Sequence, residues 1–267
     1  MRYSETMNFK YFDIHSHLNL SPLAEKRAEV LAVMKEKNIG TITVGTGLET
    51  SRLAVEIARE NPGVCWATIG VHPNDTAEEF PEEEFAKLAE DQSVVAIGEC
   101  GLDYFRINNE ELIIKNSQKE LFKRHIELAI KVGKPLMIHA RPSKGSMDAY
   151  EDALAILKTY PGTKANFHFF VGDIVIAKQI AELGWTMSFD GPITFARDYD
   201  EVIRSIPLTA LMAETDAPYA APEPYRGKEC QPWMVEQVYN KIAEIRGEDA
   251  ETVRQAINEN LARVFGV

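Results

Sequence analysis

Phe12-Asp13-Ile14-His15-Ser16-His17 begins as a short apolar run and delivers two histidines directly after it. Residues two apart on an extended segment point the same way, so both imidazoles can reach one cation. Alone, an HxH pair fits two hydrogen-bonded loop histidines equally well. The question is whether other strand-like runs end in the same manner.

They do. Runs of β-branched or apolar residues recur at 12–14, 41–44, 65–71, 94–98, 136–138, 165–167, 185–189 and 211–213, giving eight strand candidates. Helical periodicity lies between most of them, at 24–37, 51–60, 82–90, 117–132, 148–159 and 173–183, and 233–265 reads as closing helices. Asn38, Asn61-Pro62-Gly63, Gly133, Pro161-Gly162 and Gly184 punctuate the ends. Strands alternating with helices imply parallel pairing through right-handed crossovers. The chain has 267 residues, 45% of them hydrophobic, close to the roughly 250 of one α/β barrel. The expectation is a single-domain (β/α)8 TIM barrel over residues 1–267, with a doubly wound sheet as the alternative.

In such a barrel, functional groups collect where the βα loops meet, at the C-terminal ends of the strands. His15 and His17 follow strand 1, His72 strand 3, Glu99 strand 4, His139 strand 5, His168 strand 6 and Asp216 strand 8. Of six histidines only His125 sits elsewhere, inside a helical stretch. Taken singly, His139 and His168 read as core histidines and Asp216 as a turn residue; their convergence on one rim points to metal. His15, His17, His139 and His168 with Glu99 and Asp216 exceed the ~3 protein ligands of one catalytic zinc, whereas two cations ~3.5–4 Å apart would use all six. Glu99, midway round the barrel, is the candidate bridge. Nitrogen and oxygen donors together accept Mg2+, Mn2+ or Zn2+. Such a pair yields hydroxide near neutral pH, with Asp216 placed to take the water's proton.

With 29 Lys+Arg against 41 Asp+Glu, the net charge is −12, which disfavours a general nucleic-acid coat protein. Bound divalent ions can still supply a local positive centre for phosphate. Cys65, Cys100 and Cys230 are odd in number and far apart, which reads as reduced thiols. Residues 1–10 carry no apolar leader and no run is long enough to span a bilayer, so a cytoplasmic protein without membrane association or an obligate protein partner is expected. Gly45-Thr46-Gly47 lacks the rest of a dinucleotide fingerprint, and there is no GxSxG elbow or Walker loop. The acidic run Glu78 to Glu84 reads as a solvated helix start, while Phe105, Phe169, Phe170 and Phe195 read as loop-packing residues, with base stacking as the alternative.

These motifs resemble the TatD family of metal-dependent hydrolases, within the amidohydrolase-like barrels, nearly end to end. Phe12 to His17 resembles the FxDxHxH signature and Gly70-Val71-His72-Pro73 the GxHP element. Ala96 to Tyr104 is similar to AIGExGLDYY, Ile138-His139-Ala140-Arg141 to HxR, and Glu214 to Tyr219 to ETDAPY. The resemblance implies a deoxyribonuclease trimming DNA from its 3′ ends with Mg2+ or a similar ion. It places His15, His17 and Asp216 on one metal, His139 and His168 on the other, and Glu99 between them. His72, Tyr104, Arg141, Arg226 and Lys228 would contact the scissile phosphate or its neighbours. Three departures stand out: Asn74 where the family reads HPH, Phe167-His168-Phe169-Phe170-Val171-Gly172 where it reads FHCFSG, and Glu229 where RGKRN has a cation. The last weakens local attraction for DNA. Two other functions compete: an amide or ester hydrolase acting on a small neutral molecule, and a catalytically silent scaffold in protein quality control.

Overall fold

The computed structural model describes residues 9–76, 80–107 and 112–267. Residues 1–8 of the N-terminal run, and Glu78 and Glu79 of the acidic run, lie outside the described residues.

Eight strands form one sheet: β1 Tyr11–Ser16, β2 Ile39–Val44, β3 Cys65–Ile69, β4 Val94–Asp103, β5 Leu136–Arg141, β6 Ala165–His168, β7 Thr186–Phe189 and β8 Leu211–Ala213. Each pairs in parallel with the next in chain order. The ring closes between β1 and the segment after β8, where His17 N donates to Ala217 O at 2.8 Å and Asp216 N to His15 O at 2.9 Å. A doubly wound sheet would put β1 in its middle. Here sequential order and closure make a (β/α)8 barrel.

Helices α1 Leu23–Lys37, α2 Leu48–Glu60, α3 Glu82–Leu88, α4 Leu112–Val132, α5 Asp148–Leu157, α6 Ile174–Glu182 and α7 Asp200–Ser205 connect the strands, and α8 Val235–Arg246 and α9 Ala250–Phe265 follow β8. Their sequences explain them. In α2, Ser51, Ala54, Val55 and Ala58 recur at helical spacing and are buried. α6 begins at Asp173, whose carboxylate accepts from Val175 N and Ile176 N. α1 stops at Asn38, which takes the left-handed conformation at φ 55°. Among the described residues no helix is long and apolar enough to cross a membrane.

Phe12, Ile14, Ile42, Val44, Ala96, Met137 and Met212 come from strands that are not all neighbours yet form one cluster, which therefore fills the barrel interior. Leu261, Val264 and Phe265 of α9 join it. A larger cluster lies between the strands and the helices.

Two features differ from what the sequence suggests. The six-residue α7 had no counterpart in the sequence reading, because so short a helix carries too little periodicity to stand out. β4 does not stop before Glu99 but runs to Asp103. Ile97 pairs with Leu136 and Cys100 with Ile138, so β4 holds one extra residue there, and Glu99 sits in that bulge.

Candidate metal centre

The bulge aims the Glu99 side chain into the barrel mouth. Its N–H is tied to Gly45 O at 2.9 Å, and a Cβ on Gly70 would lie 2.8 Å from its carbonyl oxygen, so glycine is required there for the chain to pass. On the opposite side, the buried Asp13 carboxylate accepts from His15 N (3.2 Å), Thr215 N (2.9 Å) and Thr215 Oγ1 (2.7 Å). These bonds stitch the end of β1 to the chain after β8, setting His15 beside Asp216. Phe169 and Asp216 adopt positive φ of 45° and 53°, directly after His168 and Thr215. Such conformations persist in non-glycine residues where the surroundings hold them.

Glu99 divides the histidines into two groups. Its Oε1 lies 3.0 Å from His139 Nδ1, 2.9 Å from His168 Nε2 and 3.5 Å from His72 Nε2. Its Oε2 faces His15 Nε2 at 3.6 Å and His17 Nε2 at 4.0 Å. Asp216 Oδ1 approaches the same two nitrogens, at 3.6 and 3.4 Å. The six side chains expected at a metal site are thus brought together at one rim. Except for His15, which is wholly buried, they line a cavity of about 440 Å³ together with His72 and Arg141.

Acceptors outside the cluster set the ring tautomers. His17 Nδ1 faces the carbonyl of Val44 (3.3 Å), His139 Nε2 faces Asp103 Oδ2 (3.2 Å) and His168 Nδ1 faces Glu214 Oε1 (3.4 Å). A neutral imidazole that donates outward presents its other nitrogen's lone pair inward. Three lone pairs then point at carboxylate oxygens, an arrangement that needs a cation or added protons. His15 Nδ1 is buried without a partner, and His15 Nε2 meets His17 Nε2 at 3.3 Å.

Without metal, protons fill that role. Burial pulls His17, His139 and His168 down, but the carboxylates facing them outweigh it and raise all three above the usual histidine value. His15 is lowered by burial. Burial raises the carboxyl of Glu99, but His168, His72 and His139 together hold it well below the usual range. Asp103 is likewise opposed by burial yet pulled down to about 2 by its bond to His139.

The remaining expected contacts divide. His72 Nδ1 accepts from Asn74 N at 3.1 Å, which leaves the proton on Nε2, and burial holds the ring at about 4 and so neutral. Arg141 is the one arginine or lysine among the described residues lining the cavity, its guanidinium 4.0 Å from the Phe105 ring. Tyr104 does not reach it: the side chain is fully buried under Lys115, and its hydroxyl donates to Asp152 at 3.0 Å. Arg226 and Lys228 are exposed and off the cavity lining, with Arg226 stacked on Phe195 at 4.1 Å. Glu229 pairs with Lys26 at 3.1 Å, so its charge is offset locally. Asp103 and Glu214 received no role from sequence. The available signal was that both flank the expected ligands within the quoted motifs. His125 is a packing residue: Nδ1 donates to Leu121 O and Nε2 accepts from Val71 N.

Nitrogen and oxygen donors from His15, His17 and Glu99, from His15, His168 and Asp216, and from Glu99, His139 and His168 lie close enough in each set to share a cation. Buried donors, inward lone pairs and outer carboxylates fit divalent ions well. Bound there, such ions would acidify a water and offset charge on an anionic substrate.

The TatD-related DNase family model matches residues 12–266. An uncharacterized metal-dependent hydrolase of Bacillus subtilis, YabD, is 35% identical, covering 96% of this chain and 99% of its own. A 3′-5′ ssDNA/RNA exonuclease TatD of Pectobacterium parmentieri is 30% identical over 95% of this chain and 98% of its own. The crystal structure of YJJV, a TatD homologue from Escherichia coli K12, superposes with a TM-score of 0.85 at 26% identity, covering 96% of this chain and 98% of that one. A barrel of this topology, matched over nearly its whole length, makes the chain a member of the TatD family of metal-dependent hydrolases.

Proposed function

We propose that the protein is a 3′-5′ exodeoxyribonuclease of the cytoplasm that hydrolyses the terminal phosphodiester of DNA with two divalent ions. The observation that carries this reading is the division of Glu99, whose Oε1 serves His139 and His168 while Oε2 serves His15 and His17. On it, His15, His17 and Asp216 would hold one Mg2+, Mn2+ or Zn2+, His139 and His168 would hold the other, and Glu99 would serve both.

Ions held there would supply an acidified water and offset phosphate charge. The chain's own groups do the rest. With the ions bound, Asp216 would accept the water's proton as the water oxygen bonds to phosphorus and the bond to the preceding nucleotide's 3′ oxygen breaks, and would pass that proton to the departing 3′ oxygen, releasing a 5′-mononucleotide. His72 donates from Nε2–H to a non-bridging oxygen, since its Nδ1 is occupied by Asn74 N. Arg141, held by Phe105 at the rim, binds the neighbouring phosphate with its planar donor fork.

Release of mononucleotides from a 3′-labelled oligonucleotide with Mg2+ or Mn2+ tests the proposal; none at either ion would defeat it. One observation favours a second reading: with Arg226 and Lys228 off the cavity, Arg141 is the only cationic side chain lining it among the described residues. Hydrolysis of neutral aryl esters or amides, without nucleotide release, would mark an amide or ester hydrolase instead.

A further inference from the structure

Asn74 touches one histidine and the support of another at once. Its main-chain N–H donates to His72 Nδ1 at 3.1 Å, and its side-chain Nδ2 donates to Asp103 Oδ2 at 3.1 Å. The same Asp103 oxygen lies 3.2 Å from His139 Nε2, while Asp103 Oδ1 accepts from Phe105 N at 3.1 Å. Asp103 is 4% exposed, whereas Asn74 lies at the surface. The amide therefore covers the outer side of a buried carboxylate whose inner side steers an imidazole.

We propose that Asn74 is a positioning residue for the metal held by His139, acting through Asp103, with the juxtaposition of Asn74 Nδ2, Asp103 Oδ2 and His139 Nε2 as its basis. This rests on the reading of His139 as a metal ligand. An uncharged donor at this place fixes the rotamer of Asp103 without competing for the His139 proton. His139 Nε2–H is then kept on Asp103 and the Nδ1 lone pair faces Glu99. Without the amide, Asp103 Oδ2 opens to water, its rotamer loosens, and His139 loses its fixed direction. The histidine that the family signature carries at this position can do the same, because its Nδ1 is as many bonds from the backbone as the amide nitrogen of asparagine.

The test is calorimetric titration of the metal-free protein with Mn2+, which needs no substrate and so stands apart from the nuclease assay. Asn74→Ala keeps the main-chain N–H that serves His72 and removes only the amide. It is expected to weaken one Mn2+ site about tenfold, the lower end of the range for outer-layer partners of metal ligands. Asn74→His is expected to restore most of that affinity. The melting temperature of the metal-free variants, followed in parallel, should move little. Mn2+ affinity of Asn74→Ala within about twofold of the parent, or Asn74→His no better than Asn74→Ala, would overturn the assignment.

Discussion

Asp103 Oδ2 lies 3.2 Å from His139 Nε2, while the other nitrogen of that ring faces Glu99 at 3.0 Å. A ring gripped by carboxylates on both edges has its direction set before any ion arrives. Replacing Asp103 by asparagine leaves the shape but removes the charge that holds the Nε2 proton. Asp103→Asn is expected to lower metal affinity or turnover about 10- to 100-fold, as measured by Mn2+ titration and by nucleotide release.

Glu99 carries more. Its two oxygens face different histidine groups, so Glu99→Gln strips the shared negative charge from both. A loss of several kcal/mol in transition-state stabilisation, roughly 10³-fold in kcat, is expected from steady-state assays at saturating metal. A catalytically silent scaffold predicts no change in its function from the same variant.

The legible part of this molecule was its polar strand ends. Histidine is rare enough that five of six falling after strand-like runs marked the rim, and the eight runs themselves lie within or overlap the eight strands. Glu99 reads as a strand end in sequence but lies inside β4, because a bulge is a matter of pairing register and leaves no periodic trace. Asp103 and Glu214 went unassigned because a carboxylate in a strand motif looks alike whether it orients a histidine or bonds a loop. Tyr104, Arg226 and Lys228 were expected at the phosphate by resemblance alone. Burial against Asp152 and stacking on Phe195 account for where Tyr104 and Arg226 point instead.

Proton linkage gives a pH dependence with a definite sign. In the metal-free protein His17, His139 and His168 have values raised above 6.5, so they contribute stability that is present below 6.5 and is lost as pH rises through the raised values. Metal must displace those protons, so its affinity runs the other way and falls as pH drops. The rise in melting temperature on adding Mn2+ should be larger at about pH 8 than at about pH 6, with protons released on binding.

His125 tests how the mouth is supported from outside. Burial holds it at about 4, so it stays neutral, and its Nε2 accepts from the N–H of Val71, one residue before His72. His125→Leu strands that buried N–H and is expected to cost about 1–3 kcal/mol in denaturant unfolding. Nucleotide release by the folded fraction should fall as well, because the His72 loop loses its anchor.

On the proposed function, six side chains hold two ions, one on either side of the Glu99 carboxylate. Anomalous diffraction from crystals soaked in Mn2+ addresses it directly. Two peaks roughly 3.5–4 Å apart are expected, one among His15, His17 and Asp216 and the other between His139 and His168, with Glu99 reaching both. A single peak, or peaks that leave Glu99 untouched, would contradict it.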